Sequence, residues 1–428
     1  MTLAGLVIWV GVALAALFVG WPLIQARRGA EPADVEAPPL ERQKREAMAA
    51  IKEAEFDRAM GKLSDDDFAQ TTQRYREQAL EAMTALDAAA VRAVDTTGQV
   101  AEALDLATHL RDALWRVDSA AVAPIDAPGG LIVSGMGGSS VGGRLAAGAL
   151  GARLVRPLHL AMDYDVPAWT GPDTLVLCSS YSGDTAETLS AYDRARDAGA
   201  PRLVATTGGG LAARARADGV PVVPLPGGFQ PRAAVGYALV TALEAAALAG
   251  AAPSVRDEVE AAAVLAGQLA AEWGPDGPED GDAKRIARAL HGSIPVIVGA
   301  ELTAGVAYRW QTQLNENAEL PAFASELPEH DHNEVVGWGA AERRLSAVFL
   351  EDPQGDVRMA RRIEVTAELA AEGAAAVERV TARGETRLER VVSLVLLGDL
   401  VSLYAAVLRG ADPAPVAAID TLKARLAD

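Results

Sequence analysis

From about Asp95 onward, short apolar runs alternate with alanine-rich helical stretches, and this alternation constrains the fold more than any other feature of the chain. Leu131-Ile132-Val133, Leu175-Val176-Leu177, Leu203-Val204-Ala205 and Val220-Pro221-Val222-Val223 read as short buried strands. Helical stretches such as Ala186 to Ala198 lie between them. Strands that alternate with helices predict a mainly parallel sheet covered on both faces. The pattern restarts at Ile294-Pro295-Val296-Ile297-Val298 and continues through Leu345 to Leu350. The expected fold is α/β with two subdomains, 95–255 and 256–428, joined near 251–285 where Gly, Pro and acidic residues cluster.

The first 94 residues have a different texture. Leu3 to Ile24 is 22 residues without a charge, against the roughly 20 that span a bilayer as a helix. Trp9 and Trp21 are interface-type residues, and Arg27-Arg28 follow at once with no Lys or Arg before the run. A transmembrane helix over 1–25 is expected, with the following chain on the cytoplasmic side of the membrane. The long run, the missing basic start and the bulky residues after Pro22 disfavour a cleaved signal peptide. Residues 26–94 read as a linker and a juxtamembrane helical hairpin, with Ser64 as N-cap and Leu63 and Phe68 as a staple across it.

A net charge of −19 argues against a nucleic-acid partner, although a local pocket can still oppose the global charge and hold an anion. The single cysteine, Cys178, adjoins an apolar run and reads as a small buried hydrophobe.

Two loops follow predicted strands and precede helices. Gly135-Met136-Gly137-Gly138-Ser139-Ser140 offers backbone amides at a helix start, which suits an anion. A dinucleotide site competes for this loop, but the third glycine and an acidic ribose partner are missing. Ser179 to Thr185 offers four hydroxyls besides Tyr181, with Asp184 and Glu187 placed for a capping box. Ser180, Ser182 and Thr185 can point at one anion. Further along stand Gln230-Pro231-Arg232, Asn315-Glu316-Asn317 and His332-Asn333-Glu334. They offer a fixed cation, a carboxylate base and an imidazole, which together suit moving a proton on a sugar.

In their order along the chain these segments resemble the sugar isomerase (SIS) fold, and more narrowly the bifunctional phosphoglucose/phosphomannose isomerases, from about residue 95 to the C-terminus. The resemblance implies aldose-ketose isomerisation of glucose 6-phosphate, mannose 6-phosphate and fructose 6-phosphate by a homodimer with a shared site and no cofactor or metal. It places the phosphate on Gly138, Ser139, Ser140, Ser180, Ser182 and Thr185. It gives Arg232 the enediolate, Glu316 the proton transfer between C1 and C2, and His332 ring opening from the neighbouring subunit. Lys423 would assist ring opening. Asp184, Glu319, His330 and Asp331 depart from the family pattern.

Other readings stay open at this level. His330-Asp331-His332 raises a metal site, without a third ligand cluster among five histidines. A non-catalytic sugar-phosphate sensor would share the fold. His109 reads as a helix-surface residue. The segment Glu55 to Phe68 resembles small membrane proteins linked with c-type cytochrome biogenesis, a likeness covering roughly the first 90 residues that a natural fusion and a misjoined gene model would explain equally.

Overall fold

A computed structural model describes residues 39–60 and 62–427. The expected membrane helix over 1–25 and the linker that follows it up to residue 38 lie outside the described residues. The chain divides into two compact units, Met1–Leu86 and Asp87–Asp428.

Within the first unit, α1 covers Pro39–Ala59, and α2 (Asp65–Val94) begins there. The Ser64 hydroxyl accepts a hydrogen bond from the Asp67 amide at 3.1 Å, as an N-cap does. The Arg58 guanidinium lies 4.6 Å from the centre of the Phe68 ring.

The second unit opens with α3 (Gln99–Leu104) and α4 (Leu106–Ser119). There follow β1 (Gly130–Ser134), α5 (Gly138–Leu150), β2 (Leu158–Ala161), β3 (Thr174–Ser179) and α6 (Ala186–Asp197). Next come β4 (Arg202–Thr206), α7 (Gly209–Asp218), β5 (Val222–Pro224) and α8 (Val235–Leu248). These five strands form one parallel sheet in the order β2-β1-β3-β4-β5.

Helices α9 (Arg256–Trp273) and α10 (Asp282–Leu290) lead to a second parallel sheet. It is built from β6 (Ile294–Ala300), α11 (Ala304–Asn317), β7 (Phe323–Leu327), β8 (Leu345–Glu351), α12 (Val357–Ala371) and β9 (Val377–Thr381). Its order is β7-β6-β8-β9. Helices α13 (Arg387–Arg409) and α14 (Ala417–Ala427) close the chain.

The strands expected from continuous apolar runs are present, and β1 and β3 are buried at every position. Strands β2, β7 and β9 were not expected. They lie at sheet edges and carry polar residues on one face, so they lack the apolar run that marks a central strand.

The region near 251–285, expected as a junction, is mostly helical, and α9 packs against both α4 and α13. One apolar core includes Val91, Leu131, Leu177, Leu243, Leu269, Trp310 and Leu396, and so runs under both sheets. Among the described residues one helix is long and apolar enough to cross a membrane. It is α13, whose most apolar stretch is 89% buried inside the protein, and it serves as a core helix. Cys178 is fully buried on β3, and burial pushes its thiol up to about 12.

Each sheet has a topological switch point. In the first, the chain leaves β1 towards β2 on one side and leaves β3 towards β4 on the other. The crevice therefore opens between the carboxyl ends of β1 and β3. Gly135 and Ser180 are the residues that immediately follow those two ends.

Candidate active site

At the β1–β3 crevice the two hydroxyl loops touch. The Tyr181 amide donates to Ser139 Oγ at 3.3 Å. The Gly183 amide donates to Ser180 Oγ at 3.1 Å, and the Asp184 amide to Ser182 Oγ at 3.3 Å. Each of these hydroxyl oxygens thus accepts from a backbone N–H. Ser139 and Ser182 keep their own O–H free to donate, which an anion requires. Ser180 and Thr185 share one hydrogen bond at 2.8 Å, so that pair has one outward donor. Ser140 is buried and donates to the Gly137 carbonyl at 2.9 Å, which places its hydroxyl within its own loop.

The expected Asp184–Glu187 capping box does not form. Thr185 is the N-cap of α6, without a side-chain capping bond. The Asp184 carboxylate instead accepts from the Gly210 amide at 2.7 Å, at the start of α7. That helix start carries positive partial charge, which offsets the carboxylate so close to an anion-binding loop.

A third segment is fixed to the same crevice. The Phe229 amide donates to the Tyr181 hydroxyl at 2.9 Å. Pro231 then opens a short turn that carries Arg232. Gly138 packs directly on this turn: a Cβ there would lie 2.9 Å from the Pro231 carbonyl oxygen and 3.2 Å from the Arg232 Cα. A side chain at this position would push the first loop off the Arg232 turn.

Arg232 is 3% exposed. Its Nε donates to Asn317 Oδ1 at 2.6 Å, and its Nη2 donates to the carbonyls of Pro413 and Ala414. Its Nη1 lies 3.5 Å from Glu316 Oε2. Burial holds the guanidinium below its ordinary value, while the Glu316 charge pulls it up and Arg309 pulls it down. An arginine stays charged through such a shift. Glu316 occupies the last turn of α11, with its side chain 26% exposed. A buried fixed cation therefore faces a carboxylate that retains access to a ligand.

The structure thus brings together Gly138, Ser139, Ser140, Ser180, Ser182, Thr185, Arg232 and Glu316. It does not bring His332 or Lys423 to them within one chain. His332 is exposed on the turn after β7, and Lys423 is exposed on α14.

The neighbours of His332 are committed elsewhere. His330 is buried. Its Nε2 accepts from Trp338 Nε1 at 3.1 Å, and its Nδ1 lies 2.9 Å from Ser325 Oγ. Both ring nitrogens are occupied, which removes His330 as a metal ligand. Among the described residues no group of three metal-ligating side chains occurs. Asp331 accepts from Thr366 Oγ1 at 2.7 Å and from Arg362 at 3.0 Å, which fixes the His332 turn to α12.

His109 is buried rather than on a helix surface. It stacks near Phe229 and Tyr237, at 5.0 and 5.4 Å between ring centres.

Asn317, whose carboxamide bridges Arg232 and Ser402, is a site residue to which the sequence motifs assign no role. The available signal was its place in a helix end, next to Glu316, as a residue that forms helices poorly.

Comparison with known proteins fits this geometry. Residues 279–426 match the family described as the bacterial phospho-glucose isomerase C-terminal SIS domain. A bifunctional phosphoglucose/phosphomannose isomerase of Caldicellulosiruptor bescii is 38% identical over 303 residues, covering 70% of this chain and 89% of that protein. Its counterpart from Aquifex aeolicus is 35% identical, covering 69% of this chain and 90% of its own. Among solved structures, a Thermus thermophilus protein described only as hypothetical superposes with a TM-score of 0.61 at 18% identity. That superposition covers 82% of this chain and 97% of the other, and at this identity it speaks for the fold alone. No comparison supports the likeness of residues 1–90 to membrane proteins of cytochrome biogenesis. Over its α/β unit, the chain belongs to the bifunctional phosphoglucose/phosphomannose isomerase family.

Proposed function

We propose that this chain interconverts glucose 6-phosphate and mannose 6-phosphate with fructose 6-phosphate. The observation that carries the reading is the Arg232–Glu316 pair, 3.5 Å apart, beside a crevice of outward-donating hydroxyls.

The chemistry follows from that pair. The hydroxyls of Ser139 and Ser182, the one outward donor of the Ser180–Thr185 pair and the Gly138 amide hold the substrate phosphate, while Ser140, whose hydroxyl and amide both donate to the Gly137 carbonyl, shapes the loop around it. Glu316 takes the proton from C2 of the open-chain aldose. The C–H electron pair forms the C1–C2 double bond, and O1 becomes an oxyanion. Arg232, fixed and desolvated, stabilises that oxyanion. Glu316 then returns the proton to C1 while the O2 proton passes to the O1 oxyanion, so that C2 becomes the carbonyl carbon of the ketose. In the reverse direction C2 is trigonal in the enediolate. The face that receives the proton then decides between the glucose and mannose configurations.

His332, from the neighbouring subunit of a homodimer, opens the sugar ring as acid and base, with Lys423 assisting. Its exposure on one chain and its rigid turn support this assignment. The two halves of the α/β unit are 95–255 and 256–428, each contributing one sheet.

A sensor that binds without turnover is not favoured, since the relatives of this chain are named as isomerases. Attachment to the cytoplasmic face of a membrane through residues 1–25 rests on the uncharged run alone. Full-length protein that stays in the supernatant of native extracts would contradict it.

The test of the activity is conversion of fructose 6-phosphate in the presence of EDTA, with glucose 6-phosphate and mannose 6-phosphate followed separately. Formation of both supports the reading. Binding of sugar phosphate without turnover would transfer it to the sensor.

A further inference from the structure

Two residues with no assigned role hold the Arg232 turn from behind. Arg309 lies on α11, seven residues before Glu316, and is 1% exposed. Its Nη2 donates to the Arg232 carbonyl at 3.1 Å. Its Nε and Nη2 also donate to the two carboxylate oxygens of Asp399 on α13, at 2.9 and 2.6 Å. Helix α11 therefore grips Arg232 at both ends. Arg309 holds its carbonyl, and two turns further on Asn317 and Glu316 meet its guanidinium.

The contact between α11 and α13 is built for this approach. Gly398 faces Trp310, and a Cβ there would lie 2.2 Å from the indole nitrogen. That nitrogen donates to the Leu394 carbonyl at 2.8 Å. Gly398 and Trp310 are the immediate neighbours of Asp399 and Arg309, so the close packing seats one charge against the other.

The charges of the cluster also fit the reaction. Arg232 and Arg309 are cations, and Glu316 and Asp399 are the carboxyls that face them. Burial raises the Asp399 carboxyl, opposed by the Arg309 charge and its hydrogen bonds, and with both carboxyls ionised the cluster is neutral before proton transfer. Once Glu316 has taken the C2 proton, it carries one positive charge, at the moment when O1 becomes negative. Without Asp399, the Arg309 charge would stand unopposed behind Arg232.

We propose that the Arg309–Asp399 pair is a positioning device for Arg232, which aims its guanidinium at the enediolate and keeps the local charge balanced. The proposal deepens the isomerase reading and rests on it. The pair touches no substrate and acts through Arg232.

The test compares wild type with Arg309→Met/Asp399→Leu, because exchanging both members of a buried pair for apolar groups commonly preserves a fold. Fructose 6-phosphate turnover is measured together with binding of two inhibitors. One is a sugar-phosphate hydroxamate that mimics the enediolate, and the other is a sugar-alcohol 6-phosphate that cannot form one. A misaimed catalytic group lowers kcat, here by roughly 10- to 100-fold. The substrate KM stays within about threefold, because phosphate binding is untouched. The hydroxamate weakens by the same factor as kcat/KM, and the alcohol phosphate binds as before.

Should the double variant fail to fold, Arg309→Lys keeps the charge but not the two-sided grip, and the same pattern is expected at smaller size. A folded variant with wild-type kcat, or equal weakening of both inhibitors, overturns the proposal. Wild-type turnover is recorded in the same assay. An inactive wild type defeats the isomerase reading and this inference with it, whereas an unimpaired variant beside an active wild type defeats the positioning role alone.

Discussion

The four strands of the second sheet repeat the order of the first four strands of the first, yet the two switch points offer opposite chemistry. At β1–β3 the crevice is lined by hydroxyls whose lone pairs are occupied by backbone amides, leaving hydrogens to donate. At β6–β8 the corresponding cleft is lined by Glu301, Glu351, Asp352 and Asp356. Three of these are paired: Glu351 with Arg379 at 2.6 Å, Asp352 with Arg390 at 2.8 Å and Asp356 with Arg358 at 2.5 Å. Topology supplies a crevice in both places, and the residues decide which one takes an anion. The second sheet contributes instead through α11, which follows β6 and delivers Glu316 and Asn317 to Arg232.

The sharpest way to break this contrast is at the base. Glu316→Gln is expected to lower turnover by about 10²- to 10⁴-fold, the range of a positioned proton-transfer group. Single-turnover kinetics with circular dichroism as a folding control would check it. A near-wild-type rate would assign the base elsewhere.

Hydroxyls come next. Each bond to a phosphate oxygen is a bond to a charged group, worth about 1.5–3 kcal/mol. Ser139→Ala and Ser180→Ala should each raise the KM for fructose 6-phosphate by roughly 10- to 100-fold with a smaller change in kcat. The matched change in the other crevice, Glu351→Gln, removes a partly exposed ion pair worth about 0–1 kcal/mol and should leave both constants near wild type. Equal effects in the two crevices would erase the distinction.

Much of this was legible in the sequence. Central strands such as Leu175-Val176-Leu177 are continuous apolar runs because both faces of a parallel sheet are covered, and the loops after them follow from that placement. Edge strands such as Phe323–Leu327 alternate too weakly to be seen. Glu316 and Arg232 could be named as chemistry but not as a pair. They are 84 positions apart in sequence, and only the packing of α11 on the Pro231 turn joins them. Arg309 and Asp399 were invisible for the same reason. Single charges within apolar helices look alike until their partner is known. His109 was misplaced because its apolar neighbours, Phe229 and Tyr237, come from distant segments.

His109 also gives the contrast a pH axis on the side of the first sheet. Burial lowers its imidazole below the ordinary value, opposed by the charges of Asp105 and Asp112. Glu102 lies 3.7 Å away, and Asp105 3.9 Å. The unfolded chain then binds a proton that the folded chain resists. The resulting stability is full above the unfolded value, about 6.5, and is lost as pH falls through the folded one. Thermal melting between pH 7 and pH 5 should show a shallower decline for His109→Gln than for wild type. An identical pH slope would show that the imidazole is neutral to folding.

A further expected effect is steric. Gly398→Ala places a methyl against Trp310 and should cost about 1–3 kcal/mol by overpacking, read from urea denaturation. Because Asp399 is adjacent, some loss of kcat should accompany it. A stability loss with kcat intact would separate the α11–α13 packing from the aim of Arg232.

The most direct measurement remains the isomerase assay on wild type and Glu316→Gln in EDTA. Wild type is expected to convert fructose 6-phosphate to both glucose 6-phosphate and mannose 6-phosphate, and the variant to form neither at a comparable rate. An inactive wild type, or a variant that turns over as fast, would contradict this.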